Sequence, residues 1–310
     1  MAAYKGIGLA LGLAVETTYG TAVTPATNWI PLTSVSGPGV TKNYVENPLL
    51  PDQPTREQPV NVRSEWAQTV TTNLSYQGLG LLWYYATGVT PVTTGAGPYT
   101  HVYELSTTLP TSLTAETKRG TAANADVAEG VKVDRLRISG SVDQYITISA
   151  DLIGETSNAA AVGTPAYATT RTSAGSWQVG DVSWNSGTYC PNAFEITIER
   201  NHSRPGMMGC TVEPVNDYAK VSGRLTFEYD GEDWYAGLRA ETVDDADFTI
   251  TSGADSIRFD LQNLVIKGVT RDVSDGGRIM QTVEFECYAD GTKTGIKITN
   301  VNGQTNYNDN

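Results

Sequence analysis

The sequence predicts a mainly β protein built as two tandem β-sandwich or barrel domains, each with one short flanking α-helix. Three observations carry that prediction. Thr, Val, Tyr, Gly and Ser set the texture of the chain, which favours strands and turns over helices. Runs of alternating apolar and polar residues recur at short spacing, with turn residues between them. One strand–turn–helix unit also occurs twice. In residues 219–240, AKVSGRLTFEYDGEDWYAGLRA, Leu225, Phe227 and Tyr229 point one way and Arg224, Thr226 and Glu228 the other. Asp230-Gly231 breaks the alternation, and Trp234, Tyr235 and Leu238 then fall at helical spacing. Residues 68–88, QTVTTNLSYQGLGLLWYYATG, repeat the pattern: Val70, Thr72, Leu74 and Tyr76 alternate, Gln77-Gly78 breaks, and Leu79, Leu82, Trp83 and Ala86 follow.

Composition narrows the function. The 310 residues hold two domains of common size or one large β domain. A formal charge of −13 excludes a general basic surface for gripping nucleic acid or an anionic membrane. Cys190, Cys210 and Cys287 are odd in number and lack CxxC spacing, so they read as free thiols and not as a disulfide framework or zinc site. No apolar run is long enough to span a membrane as a helix. Residues 7–15 imitate a signal-peptide core but are short and glycine-broken, with no small-residue cleavage site after them.

In chain order, residues 1–30 form a Gly- and Thr-rich N-terminal arm without a sustained period. A first β domain is expected over 31–155. It opens with a short strand at 40–43, then the exposed loop 47–59, NPLLPDQPTREQP, whose prolines forbid a central strand. Strands are expected at 60–66 and 69–76, then the first helix, then strands at 99–105 and 112–117. A polar, Ala-rich loop at 120–129 precedes strands at 131–139 and 144–153. Residues 156–178 are small and polar and read as a linker with room for one extra strand. The second β domain, 179–301, has strands at 179–184 and 193–200. The long loop 201–216 stands where the proline-rich loop stands in the first copy. After the strand–turn–helix unit come strands at 257–261, 264–268, 281–288 and 294–301, with a hairpin loop at 270–278. Residues 302–310 read as a flexible C-terminal tail.

Catalytic chemistry finds little purchase. Nucleophilic catalysis with an imidazole base has only His101 and His202 to draw on. His101 sits among aromatics and reads as a packed strand residue; His202 lies near Cys210 without a local Cys–His signature. Asp244, Asp245 and Asp247, and Asp272 with Asp275, lack the spacing of a calcium loop and read as solvated turns. A different acidic pattern stands out. Glu195, Glu199, Glu228, Glu284 and Glu286 fall on the polar side of the second copy's strands, where the first copy has Thr71, Asn73, Ser75, Thr147 and Ser149. Such a face is either an ordinary solvated one or one that must not stick to a polyanion.

The order of several segments resembles the major tail tube proteins of long, non-contractile-tailed bacteriophages, in their two-tube-domain form. The segments are GLAVETTYGTAVTP, LGLLWYYATG, GPYTHVYEL and LPTSLTAET, then FEITIERN, VSGRLTFEYD and DGGRIMQTVEFECYADG. The resemblance implies two tandem tail-tube-like β domains in a structural virion protein that is not an enzyme and takes no cofactor or metal. It implies self-assembly into rings, as trimers with pseudo-sixfold symmetry or as hexamers, stacked into a tube through which genomic DNA passes without sequence-specific binding. Tail terminator, tail tip and tape measure proteins are the implied partners, with no membrane. Assembly in the host bacterial cytoplasm and residence in the virion tail follow.

On that expectation Glu195, Glu199, Glu228, Glu284 and Glu286 are candidate lumen residues. Leu49, Leu50, Arg56, Arg204, Met207 and Met208, in the two long loops, are candidate ring-to-ring contacts. The alternative function is a β-sandwich binding module for a glycan or receptor, supported by Tyr84, Tyr85 and Trp184 if their rings are exposed.

Overall fold

The computed structural model describes residues 8–24, 26–36, 39–46, 59–120, 124–161, 163–167, 172–184, 187–203, 213–229, 234–273 and 278–307. The chain opens with β1 (Ala10–Val15), β2 (Asn28–Pro31), β3 (Ser34–Val35) and β4 (Gly39–Val45). β5 (Val60–Asn73) leads into helix α1 (Gly80–Thr87), then β6 (Val92–Thr94), β7 (Tyr99–Glu104) and β8 (Leu113–Lys118). β9 (Asn124–Ser141), β10 (Thr147–Gly154) and β11 (Thr156–Ala161) close the first half. Next come β12 (Val182–Trp184), β13 (Gly187–Tyr189), β14 (Pro191–Glu199), the short pair β15 (His202–Ser203) and β16 (Val215–Asn216), and β17 (Lys220–Glu228). Helix α2 (Trp234–Ala240), β18 (Val243–Ser252), β19 (Asp255–Val273), β20 (Ile279–Cys287) and β21 (Ile296–Asn302) complete the chain. The fold is mainly β, as expected, with antiparallel pairing throughout the registers that set it.

One continuous sheet runs through both halves in the order β4–β5–β10–β9–β14–β17–β20–β19. Its two parts have the same internal order: hairpin strand, long strand leading to a helix, late strand, and long penultimate strand. The parts meet where β9 pairs β14, from Ala193↔Ser141 to Glu199↔Arg135. Against this sheet lie two outer layers. One runs β2–β1–β8–β9–β11. The other runs β13–β12–β18–β19–β21–β7–β6. β9 and β19 are long because each belongs to an outer layer at its start and to the continuous sheet at its end.

Alternation sets the layering. Along β14, Phe194, Ile196 and Ile198 are buried while Glu195, Thr197 and Glu199 are not. β10 and β20 alternate in the same way, with Ile148, Ala150 and Leu152, and Val283, Phe285 and Cys287, turned inward. These side chains join one core that spans both halves. Helix α1 plugs it from the side: Trp83 meets Phe259 of the second half edge-on at 6.1 Å. Gly88, at φ 98°, ends the helix with its N–H on the Tyr84 carbonyl, a left-handed cap that glycine adopts without strain. In α2, Trp234 stacks on Phe227 at 5.9 Å and lies 4.6 Å from Trp184.

Several expectations change. The segments at 60–66 and 69–76 are one strand, β5, and those at 257–261 and 264–268 are one strand, β19. The Ala-rich stretch expected as a loop is the start of β9 from Asn124, held between β8 and β11. The aspartate cluster at 244–247 lies within β18. Within the arm, β1 is a buried central strand; within the linker, Thr156–Ala161 is a strand.

The halves also interlock. β7 of the first half completes the second outer layer by pairing β21. Asn302–Tyr307, assigned to a flexible tail by sequence, pack back on the first half. There the Gly78 N–H donates to Gln304 Oε1 at 3.1 Å, the Asn302 side chain donates to the Tyr76 carbonyl at 2.7 Å, and Tyr307 meets Tyr84 edge-on at 5.4 Å.

Candidate functional site

The continuous sheet has one face against the core and one face turned away from it. Strand register places Glu195, Glu199, Glu228, Glu284 and Glu286 together on that outward face: Glu195 opposes Arg224, Arg224 opposes Glu284, Ser222 opposes Glu286, and Glu228 lies farther along β17. The five glutamates singled out by alternation therefore share one surface.

That surface is not simply acidic. Arg135 and Arg137 of β9 and Lys220 and Arg224 of β17 point the same way, because β9 and β17 flank β14. Glu195 Oε2 accepts from Arg137 Nη2 at 2.5 Å and from Arg224 Nη2 at 2.9 Å. Glu199 pairs with Arg135 at 3.0 Å, and Arg135 also reaches Asp151 at 3.5 Å. Glu286 stands 3.8 Å from Lys267, and Glu228 3.9 Å from Arg278. Alternation alone finds the glutamates but not the cations that meet them. The signal was present in VDRLRIS, where Arg135, Arg137 and Ser139 alternate with Leu136 and Ile138. What sequence alone lacked was the β9–β14 joint that brings those arginines beside Glu195 and Glu199. Ser75, counted with the polar face, is buried and donates to the Gln77 carbonyl.

Other candidates resolve as packing. His101 is buried in β7, with Nδ1 2.9 Å from Thr93 Oγ1 and Nε2 3.0 Å from the Gln304 carbonyl. Burial pushes the His202 imidazole down to about 4, with the nearby Lys132 and Arg200 also lowering it against Asp134. Cys190 is exposed and Cys287 buried; burial raises the latter's thiol to about 12, the direction of an inert structural cysteine. Asp245 is held by Lys293 and by the Asn263 N–H, and Asp247 by Arg258. Among the described residues no cluster of His, Cys, Asp and Glu is arranged to hold a metal. The rings offered for a glycan or receptor are packed: Tyr85 and Trp184 are buried, and Tyr84 packs against the core.

The two long hairpins, β4–β5 and β14–β17, leave the same end of the sheet. Leu49, Leu50, Arg56, Arg204, Met207 and Met208 lie outside the described residues. The stem of the first hairpin is described, and Val40, Tyr44, Val45, Val60 and Val62 are exposed along it.

A family model described as phage tail tube protein matches residues 6–287. The chain belongs to the phage tail tube protein family. No curated protein matches it. Membership makes the chain a structural component of the phage tail, in a family that is not typically enzymatic and that assembles with other tail proteins into a tube. Among the described residues no helix is long and apolar enough to cross a membrane.

Proposed function

We propose that three copies of this chain close into a ring with pseudo-sixfold symmetry, that rings stack into the tail tube, and that genomic DNA passes through the bore over the charged face of the continuous sheet. The observation that carries this reading is the joint between β9 and β14. There the last strand of one four-stranded part pairs antiparallel with the first strand of the next. β19 holds in the second part the place that β9 holds in the first, and beyond Val265 no strand covers its far edge among the described residues. At the other end of the sheet, β3 and β4 lie at the edge on β5. A bare edge strand is a template for pairing, and the internal joint is the model for the external one. Such a head-to-tail contact closes into a ring when its rotation divides a full turn.

On this reading 31–155 and 179–301 are the two wall units. The face bearing Glu195, Glu199, Glu228, Glu284 and Glu286 with their arginine and lysine partners lines the bore. The two hairpins that leave one end of the sheet serve ring-to-ring contact. A two-stranded stem with exposed Val40, Tyr44, Val45, Val60 and Val62 needs cover that one chain does not give it.

Negative-stain electron microscopy of the purified chain tests the proposal. Rings or tubes with sixfold-like projections are expected. A particle that stays monomeric across concentration and salt overturns it.

A further inference from the structure

The charge on the sheet face is unevenly placed. At the joint, a single oxygen of Glu195 takes both Arg137 from the first half and Arg224 from the second. One carboxylate oxygen shared by two guanidiniums leaves N–H donors on both turned to solvent, with Glu284 across from Arg224 in register as the next acid on the face. The guanidiniums are not spent by burial. The side chains of Arg137 and Arg224 remain 48% and 56% exposed, while Glu195 beneath them is 19% exposed. They border a depression of about 250 Å³ on the outward face, whose wall is otherwise rich in hydroxyls, including Ser139, Thr147 and Thr226. Lys220 and Lys267 edge the adjoining depression together with Glu284 and Glu286.

We propose that Arg137 and Arg224 form a phosphate-contact station, in which the two guanidiniums, drawn to one Glu195 oxygen and aimed by it, engage successive phosphodiester groups of a nucleic acid lying on the sheet face. Guanidinium forks match phosphate oxygens in geometry and charge. Glu195 has a positioning role: it orients both forks and competes with phosphate for them, so contacts stay weak and exchange readily. Backbone contacts of this kind carry no base readout. Among the described residues the station occurs once. In the first half, Asn73 and Thr147 oppose each other across β5 and β10 as Arg224 and Glu284 do across β17 and β20, and neither is charged. The inference rests on the reading that nucleic acid passes over this face, and it replaces uniform repulsion with spaced points of weak attraction.

The test is fluorescence anisotropy of a short labelled duplex against the purified full chain, at about 20 mM and about 200 mM salt, where phosphate contacts separate from other contributions. The variants are Glu195→Gln, Arg137→Gln with Arg224→Gln, and, away from the face, Arg119→Gln. The wild type is expected to associate weakly at low salt. Glu195→Gln, which keeps a hydrogen-bond acceptor but removes the competing charge, is expected to tighten association severalfold. The double arginine variant is expected to lose it and to flatten the slope of log K against log salt by about 2, one for each phosphate contact removed. Arg119→Gln leaves both unchanged. A double variant with wild-type affinity and slope overturns the station, as does the absence of low-salt association in both wild type and Glu195→Gln. Negative-stain images of the same preparations keep the two readings apart. Rings with unaltered duplex affinity in the double variant sink the station alone. Arginine-dependent binding by a chain that never forms rings supports the station and sinks the tube reading.

Discussion

Glu16 shows why the N-terminal segment GLAVETTYGTAVTP is more than a flexible arm. Its carboxylate is buried and surrounded by donors: Gly20 N–H at 3.0 Å, Thr114 Oγ1 at 2.9 Å, Gly130 N–H at 3.1 Å, and a short contact from Ser112 Oγ. These donors come from the turn after β1, from β8 and its approach, and from β9, so one side chain ties the first outer layer together. A buried carboxylate is stable only when its oxygens are met in this way. Gln in its place keeps the shape but turns one oxygen into an NH₂ facing other donors. Glu16→Gln is expected to lower stability by about 2–4 kcal/mol, the order of stranding buried donors and losing charge-assisted bonds. The check is a thermal melt of the two proteins side by side. An unchanged Tm would show that the cage is satisfied equally well by an amide.

Legibility in the sequence differed by element for physical reasons. β14, β17 and β20 were readable because one face of each is core and the other is polar, so apolar residues recur at every second position. β19 was read as two strands because its period breaks twice: Asn263 takes φ 47°, and a bulge lies between Ile266 and Gly268. Those kinks carry the strand from the outer layer into the continuous sheet, and each resets the side-chain phase. The start of β9 was unreadable for the opposite reason. Ala128 and Val127 are buried among small neighbours, and no large apolar residue marks the inward face. The charged face was half legible, since alternation finds the glutamates but only cross-strand register finds Arg135 and Arg137.

The C-terminal segment after β21 shows the same dependence on distant partners. The first residue of helix α1, Gly80, has no room for a side chain because the Tyr307 backbone crosses there: a Cβ on Gly80 would lie 1.7 Å from the Tyr307 carbonyl oxygen. Gly80→Ala is expected to displace Gln304 and Tyr307 from the helix and to cost roughly 1–3 kcal/mol as an overpacking change. Limited proteolysis reads it directly, with new cleavage near the C-terminus at protease levels that spare the wild type. An unaltered digestion pattern would mean that the segment moves aside without undocking.

At the scale of the whole molecule, the two halves repeat a strand order without being separable. The continuous sheet crosses from one to the other at β9–β14, β7 depends on β21 for its second partner, and Trp83 of α1 rests on Phe259 of β19. Cutting the chain after residue 155 would therefore bare the far edge of β7, the β9 edge and the buried faces of Trp83 and Tyr103. Exposing large side chains of this kind costs about 1.5–3 kcal/mol each, comparable in sum with the whole stability of a domain of that size. Residues 1–155 produced alone are expected to lack a cooperative thermal transition, and co-production with residues 156–310 is expected to restore one. Circular dichroism melts of the lone fragment and of the co-purified pair decide the point. A sharp transition from 1–155 alone would show that the crossing of β7 and the C-terminal segment is an ornament on two independent units. Its absence would mean that the entire chain folds as one unit, so that in the proposed ring of three chains the pseudo-sixfold character would come from shared strand order and not from two freely folding domains.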